Sequence, residues 1–229
     1  MKKKMTVIIV LLLASFTFAQ NNERNPVERN SFTRLFTSAQ AYTWVYQKPK
    51  SKGSLYLFDS WKNVGVVEAK DGNKAIVRNI NFNVDSQRFE SQFLTDSVYQ
   101  FDFDKLKSVT INNKPFKQIN LKDELMTMEV IFESPQLTIL KNYMINVYTA
   151  SYNPMLNRKQ DTYTQRASYY LKKGNSIEEI NLNKKNVLKI LSDLSVSSAD
   201  AKAFIKENDL SFKKDFDVQL ILKHYLKQE

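Results

Sequence analysis

The chain has 229 residues, a formal charge of +10 and no cysteine. The missing cysteines exclude disulfides, thiolate metal sites and cysteine nucleophiles, and they exclude lipid attachment at a new N-terminal Cys. The basic balance is carried by scattered lysines without a run of five or six, so nucleic acid is not an expected partner.

The chain opens Met1-Lys2-Lys3-Lys4, continues with an apolar run from Met5 to Leu13, and reaches Ala14-Ser15-Phe16-Thr17-Phe18-Ala19-Gln20. A basic start, a short apolar core and a small residue before a polar stretch predict a secretory signal over 1–19, cleaved after Ala19. The run is too short to span a bilayer, and no other stretch approaches about 18 apolar residues. Cleavage would leave 229 − 19 = 210 residues and, with three lysines gone and no acid, a charge of 10 − 3 = +7. Residues 20–53 read as a partly disordered N-terminal segment. Within it, Gln20 to Asn30 is polar, and Ser31 to Ala41 places Phe32, Leu35, Phe36 and Ala39 on one face of a short helix. Tyr42, Trp44 and Tyr46 alternate as a first strand, and Lys48 to Gly53 is a loop.

Residues 54–182 read as an antiparallel β-domain. Ile80, Phe82 and Val84 alternate with asparagines, and Phe101 and Phe103 alternate with Asp102 and Asp104, so each stretch has one wet and one buried face. Asp71-Gly72 between Val64–Val67 and Ala75–Val77 predicts a tight hairpin. Strands follow at Ser108–Ile111 and Pro115–Ile119 around a turn at Asn112-Asn113-Lys114, then at Met126–Glu133 and Leu137–Ala150 around Ser134-Pro135. A polar loop from Asn153-Pro154 to Asp161 leads to Thr162–Leu171 and Ile177–Leu182, which flank Lys173-Gly174-Asn175. Four glycines serve the whole chain, so Asn and Asp must supply many of the turns.

The period changes over 183–229. Val187, Ile190, Leu191 and Leu194 share one helical face. A second helix, capped by Ser197 or Ser198, turns Ala201, Phe204 and Ile205 inward, and a third carries Val218, Ile221, Leu222 and Tyr225. Strands followed by helices predict an α+β fold: an antiparallel β-meander, as a curved sheet or partial barrel, followed by a C-terminal cluster of about three helices against one face or end of the sheet.

Candidate chemistry is sparse. His224, the only histidine, reads as a half-exposed helix residue, and one histidine cannot build a multi-His metal site. Asp102 and Asp104 share one face of a predicted strand. Paired carboxylates serve acid–base work on glycosides at the right separation, but they also occur on any wet sheet face. No nucleophile elbow, phosphate-cradling loop or dinucleotide fingerprint is present, and Asp209, Asp215 and Asp217 lack calcium-loop spacing. No enzyme activity, cofactor or metal is expected. Six of the eleven tyrosines fall between Tyr143 and Tyr170. Tyrosine buries area while keeping a polar tip, so the hairpin with Tyr163, Tyr169, Tyr170, Arg158 and Arg166 is the candidate binding surface; the structural alternative is the ordinary strand preference for aromatics. Two cationic stretches, Lys105 to Lys122 and Arg158 to Lys173, suit an anionic envelope polymer or lipid head groups.

Leu55-Tyr56-Leu57-Phe58-Asp59-Ser60-Trp61-Lys62-Asn63-Val64-Gly65, then Asp71-Gly72, Asn79-Ile80-Asn81-Phe82-Asn83 and Val109-Thr110-Ile111-Asn112-Asn113-Lys114-Pro115-Phe116, together with Asn181-Leu182-Asn183-Lys184-Lys185, resemble exported β-rich proteins of Bacteroidota. The resemblance implies a Gram-negative envelope address, periplasmic or on the periplasmic face of the outer membrane in preference to the cell surface, and carries over no catalytic residue. The expected function is a non-enzymatic accessory or binding protein that engages a protein partner or envelope polymer through the β-domain. The alternative is a carrier of lipid or another apolar ligand in a curved sheet, with carboxylate catalysis third.

Overall fold

The computed structural model describes residues 51–95, 97–151, 155 and 160–226, and the backbone of 42–45. The segment read as a signal and the helix expected at Ser31–Ala41 lie outside the described residues. So does Arg158.

The architecture is α+β, with two open antiparallel sheets and three C-terminal helices. The strands are β1 (Tyr42–Val45), β2 (Ser51–Lys52), β3 (Val64–Ala69), β4 (Lys74–Arg78), β5 (Ile80–Asn83), β6 (Arg88–Leu94), β7 (Ser97–Gln100), β8 (Leu106–Ile111), β9 (Lys114–Leu121), β10 (Glu124–Glu133), β11 (Thr138–Tyr148), β12 (Asp161–Lys173) and β13 (Ser176–Ile180). The helices are α1 (Lys184–Asp193), α2 (Ser198–Glu207) and α3 (Asp215–Tyr225). The large sheet runs β13-β12-β11-β10-β9-β8-β3-β4, with β2 parallel to the start of β12; the small one runs β1-β7-β6-β5. The chain therefore departs from a single meander. It leaves the large sheet after Arg78, turns through Asn79 at φ 53°, builds three strands of the small sheet, and returns at Leu106. Asn accepts that left-handed conformation more readily than most residues. The loop expected at Lys48–Gly53 contributes a short strand, because Ser51 and Lys52 pair with Asp161 and Thr162.

Asn and Asp do supply most of the turns. Gly72 (φ 87°) closes β3–β4, Asn112 and Asn113 (φ 49° and 65°) close β8–β9, and Lys122 and Asp123 (φ 52° and 68°) close β9–β10. In the Lys122-Asp123 hairpin both central residues take positive φ, a conformation that Gly, Asn and Asp favour, so Lys122 is the turn residue least legible in the sequence.

One row of cross-strand neighbours crosses the large sheet: Ala75, Val67, Val109, Phe116, Glu129, Lys141, Tyr169, Ile180. Directly opposed residues share a face, so all eight line the same inner face. Its β4–β9 end lies under the small sheet, where Phe82 meets Phe89 and Phe116 at ring-centroid distances of 4.9 and 5.6 Å, and Phe89 stacks on Phe103 at 5.1 Å. Its other end lies under the helices: Ile131, Phe132, Leu137, Ile139 and Leu171 pack with Val187, Ile190, Leu191, Ala201, Ile205, Val218, Ile221 and Leu222. These are the helical residues whose spacing predicted an inward face. Asn183 caps α1 by accepting from the Asn186 N–H (2.9 Å), and Ser197 caps α2 by accepting from the Ala199 N–H (3.2 Å).

Gln87, in the β5–β6 turn at φ 55°, joins the two sheets. Strand β10 pairs with β11 only as far as Met128 and Asn142, and beyond that point the strands part. The Gln87 amide fills the gap. Its Oε1 accepts from the Thr127 N–H (3.3 Å) and its Nε2 donates to the Tyr143 carbonyl (3.3 Å). A side chain thus does what a neighbouring strand would do for two backbone groups. Gln87→Asn retains a residue tolerant of positive φ but shortens the amide by one methylene. It is expected to destabilise the fold by about 1–2 kcal/mol, read as a lowered urea midpoint; an unchanged midpoint would mean that the bridge contributes nothing.

Candidate functional site

Past the Gln87 wedge, β11 and β12 continue as a two-stranded ribbon, paired from Tyr143–Ala167 to Tyr148–Thr162. The candidate residues lie on this ribbon and at its base, divided between the two faces. Tyr169 belongs to the inner row. Its hydroxyl donates to Asp215 Oδ1 (2.7 Å) at the start of α3, so it pins a helix to the sheet and is half-buried. Tyr170 points to the outer face and packs with Met128, Val130 and Leu140. Arg166 is exposed on that outer face, opposite Met144. Tyr163 lies on the inner side opposite Val147, where Gly53 (φ 90°) crosses so closely that a Cβ there would stand 2.2 Å from the Tyr163 carbonyl oxygen. The structure therefore brings Arg166 and Tyr170 onto one surface and gives Tyr169 a structural partner.

The ribbon's end exposes apolar area: Met144, Val147 and Tyr148 are 38%, 48% and 42% exposed. Met144 and Tyr148, two turns of the pleat apart, share the outer face with Arg166. Apolar side chains grouped on a surface beside a cation are the usual make-up of a contact patch.

The other polar constellation occupies the seam between the two covers of the inner face. Lys114 Nζ meets Glu129 Oε1 at 2.7 Å, and the Tyr143 hydroxyl donates to Glu129 Oε2. Lys141 Nζ meets Asp215 Oδ2 at 2.6 Å and stands 5.2 and 5.3 Å from the Tyr143 and Tyr169 ring centres, within cation–π range. Burial, together with the adjacent carboxylates, raises both phenols far above the ordinary tyrosine range, so they remain hydrogen-bond donors. Each charge has a partner and each hydroxyl an acceptor, so the set ties β9, β10, β11 and β12 to the start of α3.

The carboxylates read as a possible acid–base pair are placed differently from expectation. Phe103–Lys105 is a 3-10 turn rather than the end of a strand, and Asp102 caps it by accepting from the Asp104 N–H (3.1 Å). The alternation of Phe101 and Phe103 survives because both are buried. His224 is exposed and stacks on Phe204, with ring centres 3.7 Å apart. Among the described residues, no three His, Cys, Asp or Glu side chains converge as metal ligands, and no helix is long and apolar enough to cross a membrane. A buried acid outside the seam, Glu90, accepts from the Tyr56 hydroxyl (2.6 Å) and from Asn83 Nδ2 (3.2 Å); burial raises its pKa, and those two bonds oppose the rise.

Compared with protein-family models, curated proteins and solved structures, the chain matched nothing.

Asp215→Ala removes the acceptor of both Lys141 and Tyr169 and is expected to cost about 2–3 kcal/mol, whereas Tyr169→Phe costs about 1 kcal/mol. Chemical denaturation that ranks the two equally would refute the shared clamp. Glu90 has a folded pKa above its unfolded one, so the native state holds the extra proton in the window between them. The stability linked to Glu90 is complete below the unfolded value and is lost as pH rises through the raised one. Acidification into the ordinary carboxylate range should therefore strengthen this contribution, and Glu90→Gln should flatten that part of the pH–stability curve; identical slopes in wild type and variant would count against it.

Proposed function

We propose that this is a non-enzymatic exported accessory or binding protein of a Gram-negative cell envelope, engaging a protein partner or an envelope polymer through its β-domain. The observation that carries the reading is the exposed end of the β11–β12 ribbon, where Met144 and Tyr148 lie on the outer face with Arg166 beside them. No carboxylate falls between Asp161 and Glu178, so the patch presents apolar area and positive charge together. The address is inferred from the N-terminal pattern of lysines, apolar run and Ala19, and from the resemblance to exported Bacteroidota proteins.

The carrier reading has less support. The space between the sheets is filled by phenylalanines in ring contact. A cavity of about 450 Å³ at the start of α3 is lined by Lys184, Lys213, Lys214, Asp209 and Ser211 beside Leu210 and Phe212, a mixed polar lining unsuited to an acyl chain.

The test is a crosslinked pull-down of tagged protein from native envelopes, with protein and lipid mass spectrometry on one eluate, comparing wild type with Met144→Ser/Tyr148→Ser. A specific envelope component should be recovered, and the double variant should lower its recovery about fivefold or more. Undiminished recovery would remove the patch from the interface, and a stoichiometric lipid without any protein would favour the carrier.

A further inference from the structure

One edge of the ribbon is open. On the side of β12 away from β11, β2 pairs only Asp161 and Thr162, and β13 pairs only Tyr169–Lys173. Gly53 lies against the Tyr163 carbonyl, and the Gln165 Nε2 donates to the Tyr56 carbonyl (2.5 Å), so the chain after β2 borders the near end. The five residues from Thr164 to Ser168 have no strand beside them among the described residues, and Thr164–Ala167 are exposed. At about 3.3 Å per residue the opening is roughly 16 Å long. The β12–β13 hairpin closes through Gly174-Asn175, so Lys173 and Ser176 form its terminal hydrogen-bonded pair. Counting back by twos along β12, Leu171, Tyr169, Ala167 and Gln165 direct their N–H and C=O groups to this edge. Gln165 and Ala167 thus present backbone donors and acceptors between two strands already in place.

Open edges invite pairing, and proteins usually guard them with charge or shortness. Edge strand β4 carries Lys74 and Arg78, and β13 is five residues long with Glu178 and Glu179. The β12 opening, Thr164-Gln165-Arg166-Ala167-Ser168, has a single charged side chain.

We propose that this edge takes up an extended acidic peptide segment as an added strand, filling the gap between β2 and β13. The proposal rests on the reading of the protein as a binding protein and gives its partner a chemistry. Main-chain bonds to Gln165 and Ala167 supply affinity, and alternate side chains of the incoming strand supply selectivity. Charge chooses the occupant. Arg166 is exposed in the middle of the opening, Lys52 is exposed at one end, Lys172 lies beyond the other, and no acid lies between Asp161 and Glu178. A second copy is disfavoured by the same charges. Paired edge to edge about a two-fold axis normal to the sheet, it would set the two Arg166 side chains opposite or diagonal to one another on one face, and like charges so placed repel.

The probe is a capped nonapeptide alternating glutamate and valine, with a lysine–valine counterpart, added to the purified protein. Fluorescence anisotropy gives affinity, and amide-resolved hydrogen exchange gives location. The glutamate peptide should bind at least about tenfold tighter than the lysine peptide, more so at low salt. It should slow exchange at the Gln165 and Ala167 amides more than at Thr164 and Arg166, whose amides face β11. Ala167→Pro deletes one edge N–H while sparing the β11 ladder and should weaken binding about tenfold. Arg166→Glu, a surface change that keeps the test sound if the proline variant misfolds, should abolish the preference for glutamate. Equal binding of the two peptides, no protection at the two amides, or protection from self-association without peptide would each overturn the proposal. If the peptides fail while the pull-down still recovers a component dependent on Met144 and Tyr148, the edge falls and the binding reading stands. If they bind but no envelope component is recovered, the edge stands and the binding reading falls.

Discussion

Everything in this fold depends on how one face of the large sheet is covered. The row from Ala75 to Ile180 is continuous across eight strands, but no single layer lies over it. The small sheet covers one end and the helices cover the other. Where the covers meet, the row becomes ionic, with Glu129 facing Lys141. Unpaired ions would be costly at such a seam. Here Lys114 and Tyr143 complete Glu129, while Asp215 completes Lys141 and Tyr169. Asp215 also starts α3, where its charge suits the helix N-terminus. The seam therefore joins two otherwise separate cores and fixes where the helices sit.

The fold class was legible because alternation and helical spacing are local. The hairpins at Asn112-Asn113 and Gly174-Asn175 form as their turn residues predict, the one at Asp71-Gly72 forms with a three-residue loop from Lys70 to Gly72 in place of a two-residue turn, and Val187, Ile190 and Leu191 face inward as spaced. What alternation could not disclose was which sheet a strand joins. Residues 80–100 alternate as well as their neighbours do, and only the turn at Asn79 sends them into a second sheet. In β10 polar residues are buried as well: Thr127 and Glu129 lie on the sheet's inner face, which is covered there. In the same way, the Asp102–Asp104 periodicity ended in a 3-10 turn, since a side-chain cap can satisfy the backbone where a ladder stops.

The candidate surface was only partly legible. Tyrosine density pointed to β11 and β12, but parity along a strand sends Tyr169 and Tyr170 to opposite faces, and only a tertiary partner such as Asp215 shows which one is structural. The open edge has no compositional signature at all. Among the described residues it exists because β13 is short and because β2 stops at Lys52. Both are facts about neighbours, and nothing in Thr164 to Ser168 itself announces them.

The parallel pairing of β2 with β12 has a kinetic consequence. Ser51 and Asp161 stand 110 positions apart, whereas most other strands in the large sheet pair with a neighbour reached by a short turn. Local hairpins close quickly, and a contact spanning that much chain must wait for a long loop to close. A chain emerging N-terminus first would expose Ser51 and Lys52 long before their partner existed. The ribbon would form before β2 arrived, so its edge would be longest and barest in the late folding intermediate. At that stage any extended segment nearby would compete with the chain's own strand for Asp161 and Thr162.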